Sequence, residues 1–382
     1  MRPRHLALLA GLACASSASC GETPEGTISV VTGEESDALT RAPAPTTLVV
    51  EALDLERGAE ELARVALPAS TLDLGDKPKT DIAALRVTAL DAAGAPLLRG
   101  ETLYFQYGAL ERTALEVFVQ RLGELARMPR PPAQVPELPV VHLALGRYLF
   151  AASGTATTVY DLLALRPLPS PPTLPRPARS LASSGASLVV VDERGASSFD
   201  LSDGRVSELE VPAGGAFAEV AGGATVTAPD GASYVVGGTR ASGGPTARVL
   251  RVSPDGNVTF AALTTAREGA CAAWVPDRGL VVWGGADGGA GGELLAPTAT
   301  QAVPLAFPAD PVRGCGAAAL DASRVLVVGG AAAGAPAPAP ARVVDLACAA
   351  ACSPSAWPDP LPLVRADAVA LGPDAALVEG DD

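Results

Sequence analysis

The sequence predicts an all-β protein in two parts, a small β-sandwich followed by a larger array of repeated β units. Three observations carry this. Short runs of Val, Leu and Ala recur along the chain, separated by Gly, Pro, Asp and Ser turn signals. From residue 140 onward these runs repeat one phrase at nearly constant spacing. Composition is the third: aliphatic residues are ample and aromatics only 4%, so a large core would be built from Val, Leu and Ala. At 382 residues, two domains are the natural division.

The chain opens with Arg2 and Arg4, then an apolar run from Leu6 to Ala15, then small residues Ser16 to Ser19 and Cys20. A basic start, a short apolar stretch and a small-residue cleavage region read as a secretory signal. The apolar run is about ten residues, half of the roughly 20 that a membrane-spanning helix needs. The segment resembles a bacterial lipoprotein signal, in which small residues precede a cysteine that is acylated and becomes the mature N-terminus. Cys20, after Ser17-Ala18-Ser19, is the expected lipid site. Cys14, after Gly11-Leu12-Ala13, is the alternative, and cleavage there would leave a shorter apolar stretch. An ordinary cleaved signal with incidental cysteines is the plainer reading. The resemblance implies an exported, envelope-bound protein. The residue after either cysteine, Gly21 or Ala15 rather than Asp, points to the outer membrane. Residues 1–20 are assigned to the signal and 21–46, polar and carrying Thr, Glu, Asp and Pro, to a flexible tether.

Between residues 47 and 128 lie strand candidates at about ten-residue spacing: Leu48–Ala52, Ala83–Leu90, Thr102–Tyr107 and Ala114–Arg121. They argue a small β-sandwich, immunoglobulin-like in style. Leu55–Val65 is open to a helical reading instead. Pro129, Pro131 and Pro132 mark residues 129–139 as a stiff linker.

The repeats fill residues 140–382. The clearest copies are Ser233-Tyr-Val-Val-Gly-Gly238, Leu280-Val-Val-Trp-Gly-Gly285 and Val325-Leu-Val-Val-Gly-Gly330. Their first glycines, Gly237, Gly284 and Gly329, are 47 and 45 residues apart. Tyr148-Leu-Phe-Ala-Ala-Ser-Gly154, Leu188-Val-Val-Val-Asp192 and Ala376-Leu-Val-Glu-Gly380 are copies without the doublet. An arginine precedes the phrase at Arg267, Arg313 and Arg365, and a strand ending in Asp follows it at Tyr160-Asp161, Phe199-Asp200 and Val344-Asp345. Trp357 stands before the last arginine. With the Gly-Gly doublet, the aromatic-bearing strand and the Trp at a period of about 50, the array resembles kelch repeats and the propeller domain of galactose oxidase. The resemblance covers roughly residues 131–382. It implies a β-propeller, whose four-stranded blades bury their faces against one another around a ring. Six phrases suggest about six blades, five full and one partial, closed by a strand borrowed from Val135–Leu145. A β-sandwich with coincidental glycines is the competing reading.

Composition excludes some functions. The net charge is −14, with acids scattered and lysine only at Lys77 and Lys79, whereas a nucleic-acid binder needs a basic stripe. Galactose oxidase holds copper through histidine and tyrosine. This chain has only His5, lost with the signal, and His142, on an apolar strand, so the resemblance carries over neither the metal nor the oxidase activity. No nucleophile elbow, P-loop or dinucleotide fingerprint is present. Scattered acids read as solvated carboxylates rather than a glycosidase pair. Asn257-Val-Thr259 is a chance sequon. Catalytic, cofactor and metal residues are therefore expected to be none.

Four cysteines remain after the signal, which in an oxidising compartment reads as two disulfides. Cys271 and Cys315, 44 residues and nearly one repeat apart, are placed to link neighbouring blades. Cys348 and Cys352 would then close a small ring, with crossed pairing or free thiols as the alternatives. The expected function is a monomeric, non-enzymatic binding or scaffold module, anchored by lipid alone and presenting propeller loops to a protein or glycan. A carbohydrate-active or oxidative enzyme of the galactose oxidase type is the alternative.

Overall fold

The computed structural model describes residues 28–381, apart from 34, 55–57, 70–77, 109–114, 125, 132–139, 212–214, 239–242, 287, 333–334, 336, 358–362, 364 and 373–374. Cys14, Cys20 and the signal lie outside the described residues. Five four-stranded antiparallel sheets follow one another along the chain, and a two-stranded sheet ends it. In each full blade the strands pair in chain order, so every connection within a blade is a hairpin. Blade one comprises Val141–Leu145, Tyr148–Ser153, Ala156–Asp161 and Arg166–Pro167; blade two comprises Ser180–Ser184, Ser187–Val191, Ala196–Asp200 and Val206–Glu208. Blade three comprises Ala224–Thr227, Ser233–Val236, Thr246–Val252 and Val258–Arg267. Blade four comprises Cys271–Val275, Gly279–Trp283, Gly292–Leu295 and Val303–Pro304; blade five comprises Gly316–Ala319, Arg324–Val328, Arg342–Asp345 and Ser355–Ala356. Arg365–Gly372 and Ala375–Asp381 form the sixth, two-stranded sheet.

The first strands of successive blades are neighbours from blade one to blade six, and that of blade three also approaches that of blade one across the interior. This is a β-propeller. Its inner strands are rich in Ala, Ser, Gly and Thr from blade two to blade five (SLASS, ATVT, CAAWV, GAAA), which lets them converge, while the second strands (Leu188–Val191, Leu280–Trp283, Val325–Val328) are buried throughout. Buried on both faces, they read as unbroken apolar runs. Of the region expected to close the ring, residues 135–139 lie outside the described residues, and Val141–Leu145 does not pair with the last sheet. Val141–Leu145 is the inner strand of its own blade, paired with Tyr148–Ala152, and among the described residues the last two strands pair only with each other.

Upstream, Gly58–Ala66, Thr47–Asp54, Ile82–Leu90, Pro96–Glu101 and Gln120–Arg121 form one antiparallel sheet in that spatial order, with Phe105–Gln106 on the start of Ile82–Leu90. Leu48, Val50, Ala52, Leu85, Val87, Ala89 and Leu98 bury one face against Ile28, Leu115 and Val117. The described part of the stretch open to a helical reading is therefore a strand, Gly58–Ala66, paired antiparallel with Thr47–Asp54. The expected tether over 21–46 includes a strand among its described residues. Ile28–Val31 pairs in parallel with Leu115–Phe118, and Ile28 is 1% exposed, so the sheet's apolar face recruits this segment as cover. The candidate at Ala114–Arg121 splits at Val119 into two strands, Leu115–Phe118 and Gln120–Arg121, serving different sheets. The Pro-rich junction is tied to blade one: Tyr160 Oη donates to Pro129 O, and Arg130 donates from Nε to Leu165 O at 3.0 Å while pairing with Glu116.

Candidate functional site

The two ends of the ring differ in their turns, although Asp192 Oδ1, accepting the Arg194 and Gly195 amides at 2.8 and 2.9 Å, also closes the turn between the second and third strands of blade two. At one end the turns between first and second, and between third and fourth, strands are closed by aspartates. Asp161 Oδ1 accepts the amides of Leu163 and Ala164 at 3.1 and 3.0 Å, and Asp321 Oδ1 those of Ser323 and Arg324 at 2.7 and 2.8 Å. Asp200, Asp230, Asp255 and Asp345 accept an amide two residues on in the same way. An aspartate that satisfies its own turn favours the turn over extended chain. Donation from the Ser323 amide, then from the Arg324 guanidinium, holds the Asp321 carboxyl far below the usual range. The Ser202 hydroxyl and amide lower Asp200. These acids, read from the sequence as solvated carboxylates, are turn acceptors.

At the other end lie the Gly-Gly turns and the connections from blade to blade. Gly284 and Gly285 both have φ of +72°, and a Cβ on them would lie 2.6 Å from Val312 O and 2.7 Å from Glu268 O. Gly330, at φ +78°, would meet Arg313 O at 2.7 Å. The doublet thus serves both a left-handed turn and close approach of the next blade's backbone. That approach is hydrogen-bonded: Gly269 N to Gly237 O at 2.8 Å, Gly285 N to Val312 O at 2.8 Å, and Gly314 N to Gly269 O at 2.7 Å.

The three arginines that precede the repeated phrase are not one structural position. Gly269 and Gly314 are equivalent, each bonded to the preceding blade, so Arg313 corresponds to Glu268 and not to Arg267. Arg267 ends the outer strand of blade three and is wholly buried. Its Nε and Nη2 donate to Glu293 Oε1 at 3.1 and 3.0 Å, Nη1 to Gly284 O at 2.6 Å and Gly291 O at 3.2 Å, and Nη2 also to Ala290 O at 2.9 Å. Glu293 in turn accepts the Thr264 amide and hydroxyl, each at 2.6 Å, and the Thr265 amide at 3.1 Å. Burial pushes the guanidinium down, opposed by the Glu293 charge. The pair pins the base of the 284–291 turn. Sequence reasoning missed Glu293; an acid inside the apolar run Gly-Glu-Leu-Leu was the available signal.

At this same end stand several ion pairs, from the largely buried Arg176 and Asp192 to the partly exposed Arg179, Glu193, Arg248, Glu219, Arg313 and Glu268. Arg179 pairs with Glu193 at 2.9 Å, Arg176 with Glu208 at 2.6 Å and Asp192 at 3.3 Å, Arg248 with Glu219 at 3.5 Å, and Arg313 with Glu268 at 3.5 Å. Both signs are present at this end. Asp310 accepts Trp283 Nε1 at 2.7 Å and Arg342 Nη2 at 2.6 Å, fixing the connection into blade five.

The predicted cysteines fall into two places. Cys271 opens the inner strand of blade four, Cys315 stands just before that of blade five, and the two are bonded with Cα atoms 5.3 Å apart. Cys348 and Cys352 are bonded to each other in the turn between the third and fourth strands of blade five. His142 lies on the inner strand of blade one, opposite Ala151. Two of the tyrosines are engaged in packing the fold: Tyr160 donates to Pro129 O, and Tyr234 stacks on Trp274 between blades three and four. Among the described residues no three His, Cys, Asp or Glu side chains are grouped to hold a metal ion. In the upstream unit, a depression at Thr32, Glu35 and Arg41 is floored by Arg121, which donates to Ala38 O and Pro43 O at 3.1 Å and so clamps that loop.

The class of protein is set by these sheets: a β-propeller carried behind a smaller β unit. No protein-family model matches the chain, and no curated protein does. Among solved structures it is similar to a fungal alcohol oxidase of the AA5 family in complex with copper, at 14% identity over 85% of this chain and 68% of that one, with a TM-score of 0.41. It is similar to the dihydro-heme d1 dehydrogenase NirN, at 16% identity, a TM-score of 0.39 and 92% of this chain, and spans 60% of that chain's length. Citrobacter koseri AztD is similar at 12% identity, over 88% of this chain and 99% of that one, with a TM-score of 0.37. The two disulfides are those of an exported protein, since such bonds persist in oxidising compartments. No helix among the described residues is long and apolar enough to cross a membrane.

Proposed function

We propose that this chain is a lipid-anchored, kelch-like propeller of the cell envelope that works as a non-enzymatic binding module, docking a protein or glycan on its glycine-turn end. The group of ion pairs at that end carries this reading. Arg179, Glu193, Glu268 and Arg313 are each between one third and three fifths exposed, and both signs are held in place by a rigid ring. Fixed charges of mixed sign give a surface selectivity and steer its encounters more than they add raw affinity. Loops held on a rigid scaffold are where recognition usually resides. The partner's class stays open between protein and glycan. No nucleic acid is proposed, for want of a basic stripe.

In the test, the full-length protein carrying Arg179→Glu and Arg313→Glu is cross-linked in intact envelopes beside the wild type. Wild type should enrich a protein or glycan that the double variant loses while unfolding at the same temperature. Equal enrichment by both, or none by either, would sink the reading. Anchorage is tested separately with labelled palmitate: Cys20→Ser should abolish incorporation and Cys14→Ser should leave it.

A further inference from the structure

We propose that the Cys348–Cys352 disulfide is a thiol–disulfide exchange site, with Cys348 as the sulfur attacked and a dithiol as co-reactant, and that Cys271–Cys315 takes no part. The two bonds sit in opposite surroundings. Cys271 and Cys315 are 1% and 5% exposed, sealed among Ala273, Val281 and Trp283 between blades four and five. Cys348 is half-buried at the end of a turn whose residues 349–351 are all exposed. Cys352, its partner, is 3% exposed and packs inward. Of the four bonded cysteines Cys348, which packs on the edge of the same apolar cluster, is the one that is not buried, and it therefore offers a nucleophile from solvent its approach.

Ring size points the same way. The constraint a disulfide places on the unfolded chain grows with the logarithm of the ring it closes. Cys348 and Cys352 are separated by four residues and Cys271 and Cys315 by 44, so the small ring contributes the lesser part of the fold's stability. The small ring also contains Ala351 at φ +50°, a left-handed conformation that an L side chain rarely adopts. Opening it therefore sacrifices little constraint and frees a strained residue.

The exchange balances without any further reactant. One thiolate of the dithiol attacks Cys348 Sγ; a mixed disulfide forms, the bond to Cys352 breaks, and its electron pair leaves on Cys352 Sγ, which takes a proton. The second thiol of the same reductant then attacks the reductant's own sulfur, closes the reductant's disulfide and expels Cys348 as a thiolate. The dithiol is oxidised by two electrons and the protein disulfide reduced by two. A monothiol stalls at the first step. Cys352 stays in the same turn, at high local concentration, and expels it. Opening loosens the rim where the Cys352 amide meets Ala306 O at 3.3 Å and Arg278 Nη1 meets Leu346 O at 3.1 Å, and leaves the inner strands alone.

The inference is independent of the binding proposal, because its readout is chemical. The oxidised full-length protein is titrated under native conditions with dithiothreitol or, in parallel, with 2-mercaptoethanol. Samples are quenched with iodoacetamide and mapped by peptide mass spectrometry, with near-ultraviolet circular dichroism reporting the fold. Cys348 and Cys352 should be alkylated at a dithiothreitol concentration at least ten-fold below that needed for Cys271 and Cys315, with the fold intact. At matched thiol concentration, 2-mercaptoethanol should give at least ten-fold less labelling of the pair. Joint labelling of all four cysteines, earlier labelling of Cys271 and Cys315, no labelling before unfolding, or equal efficiency of the two reagents would each overturn the proposal.

Discussion

Arg267 and Glu293 form an ion pair from which water is wholly excluded, at 3.0 Å with both side chains 0% exposed. All five N–H donors of the guanidinium are used, two of them on the carbonyls of Gly284 and Ala290 that bracket the blade-four turn. A buried pair is weak support for stability as such, but removing one partner strands the other.

Arg267→Met should therefore destabilise the protein by about 3–5 kcal/mol, as seen when one member of a buried pair is lost. Arg267→Lys should rescue little, because an ammonium has three donors and no planar fork to span Glu293 and the turn carbonyls. Urea unfolding followed by tryptophan fluorescence checks both. A loss near zero for Arg267→Met would show that the network is not the strut of this turn.

The glycine doublets separate conformational from steric demand. Gly285→Ala faces a left-handed backbone and a carbonyl oxygen 2.7 Å from the new methyl group, whereas Gly94→Ala faces φ +83° with nothing within 4 Å. The second should cost about 1–2 kcal/mol, the usual charge for a left-handed alanine. Gly285→Ala should cost clearly more, and thermal unfolding of the two variants side by side reads the difference.

Removing the inter-blade bond by Cys271→Ala with Cys315→Ala should lower stability by about 4 kcal/mol on the chain-entropy account, and removing Cys348–Cys352 by about 2 kcal/mol. Denaturant midpoints under non-reducing conditions give both. A larger loss from the small ring would contradict the ranking.

Acid should unfold the protein through its turn aspartates. Asp321, Asp200 and Asp255 have carboxyls lowered in the folded state, so their contribution is fully present above the unfolded value, about 3.9, and is lost as pH falls below it. Asp321→Asn should flatten the fall of the unfolding temperature below about pH 4 relative to wild type. An unchanged slope would locate the acid sensitivity elsewhere.

Much of this architecture was legible in local sequence. The Val-Val-Gly-Gly phrase names a buried strand and the left-handed turn after it, because both are decided within six residues by chain stiffness and the lack of a Cβ. The spacing of Cys271 and Cys315 by nearly one repeat carried the same kind of information, since equivalent positions of adjacent blades are neighbours. The Tyr-Asp and Phe-Asp strand ends were visible as a pattern, but their purpose was not. That Asp161 and Asp200 close their own turns depends on where the following amides point.

By itself, then, the sequence determined the strands, the glycine turns, the repeat and its ring, since each depends on residues close together in the chain or on a period. Only the tertiary structure decided that Arg267 is buried against Glu293 while Arg313 stands half-exposed beside Glu268. It alone drew Ile28–Val31 out of the tether into a core and left Cys348 within reach of solvent while hiding Cys352. Burial and partnership at those places are set by segments tens of residues away, and no local pattern encodes which distant surface arrives.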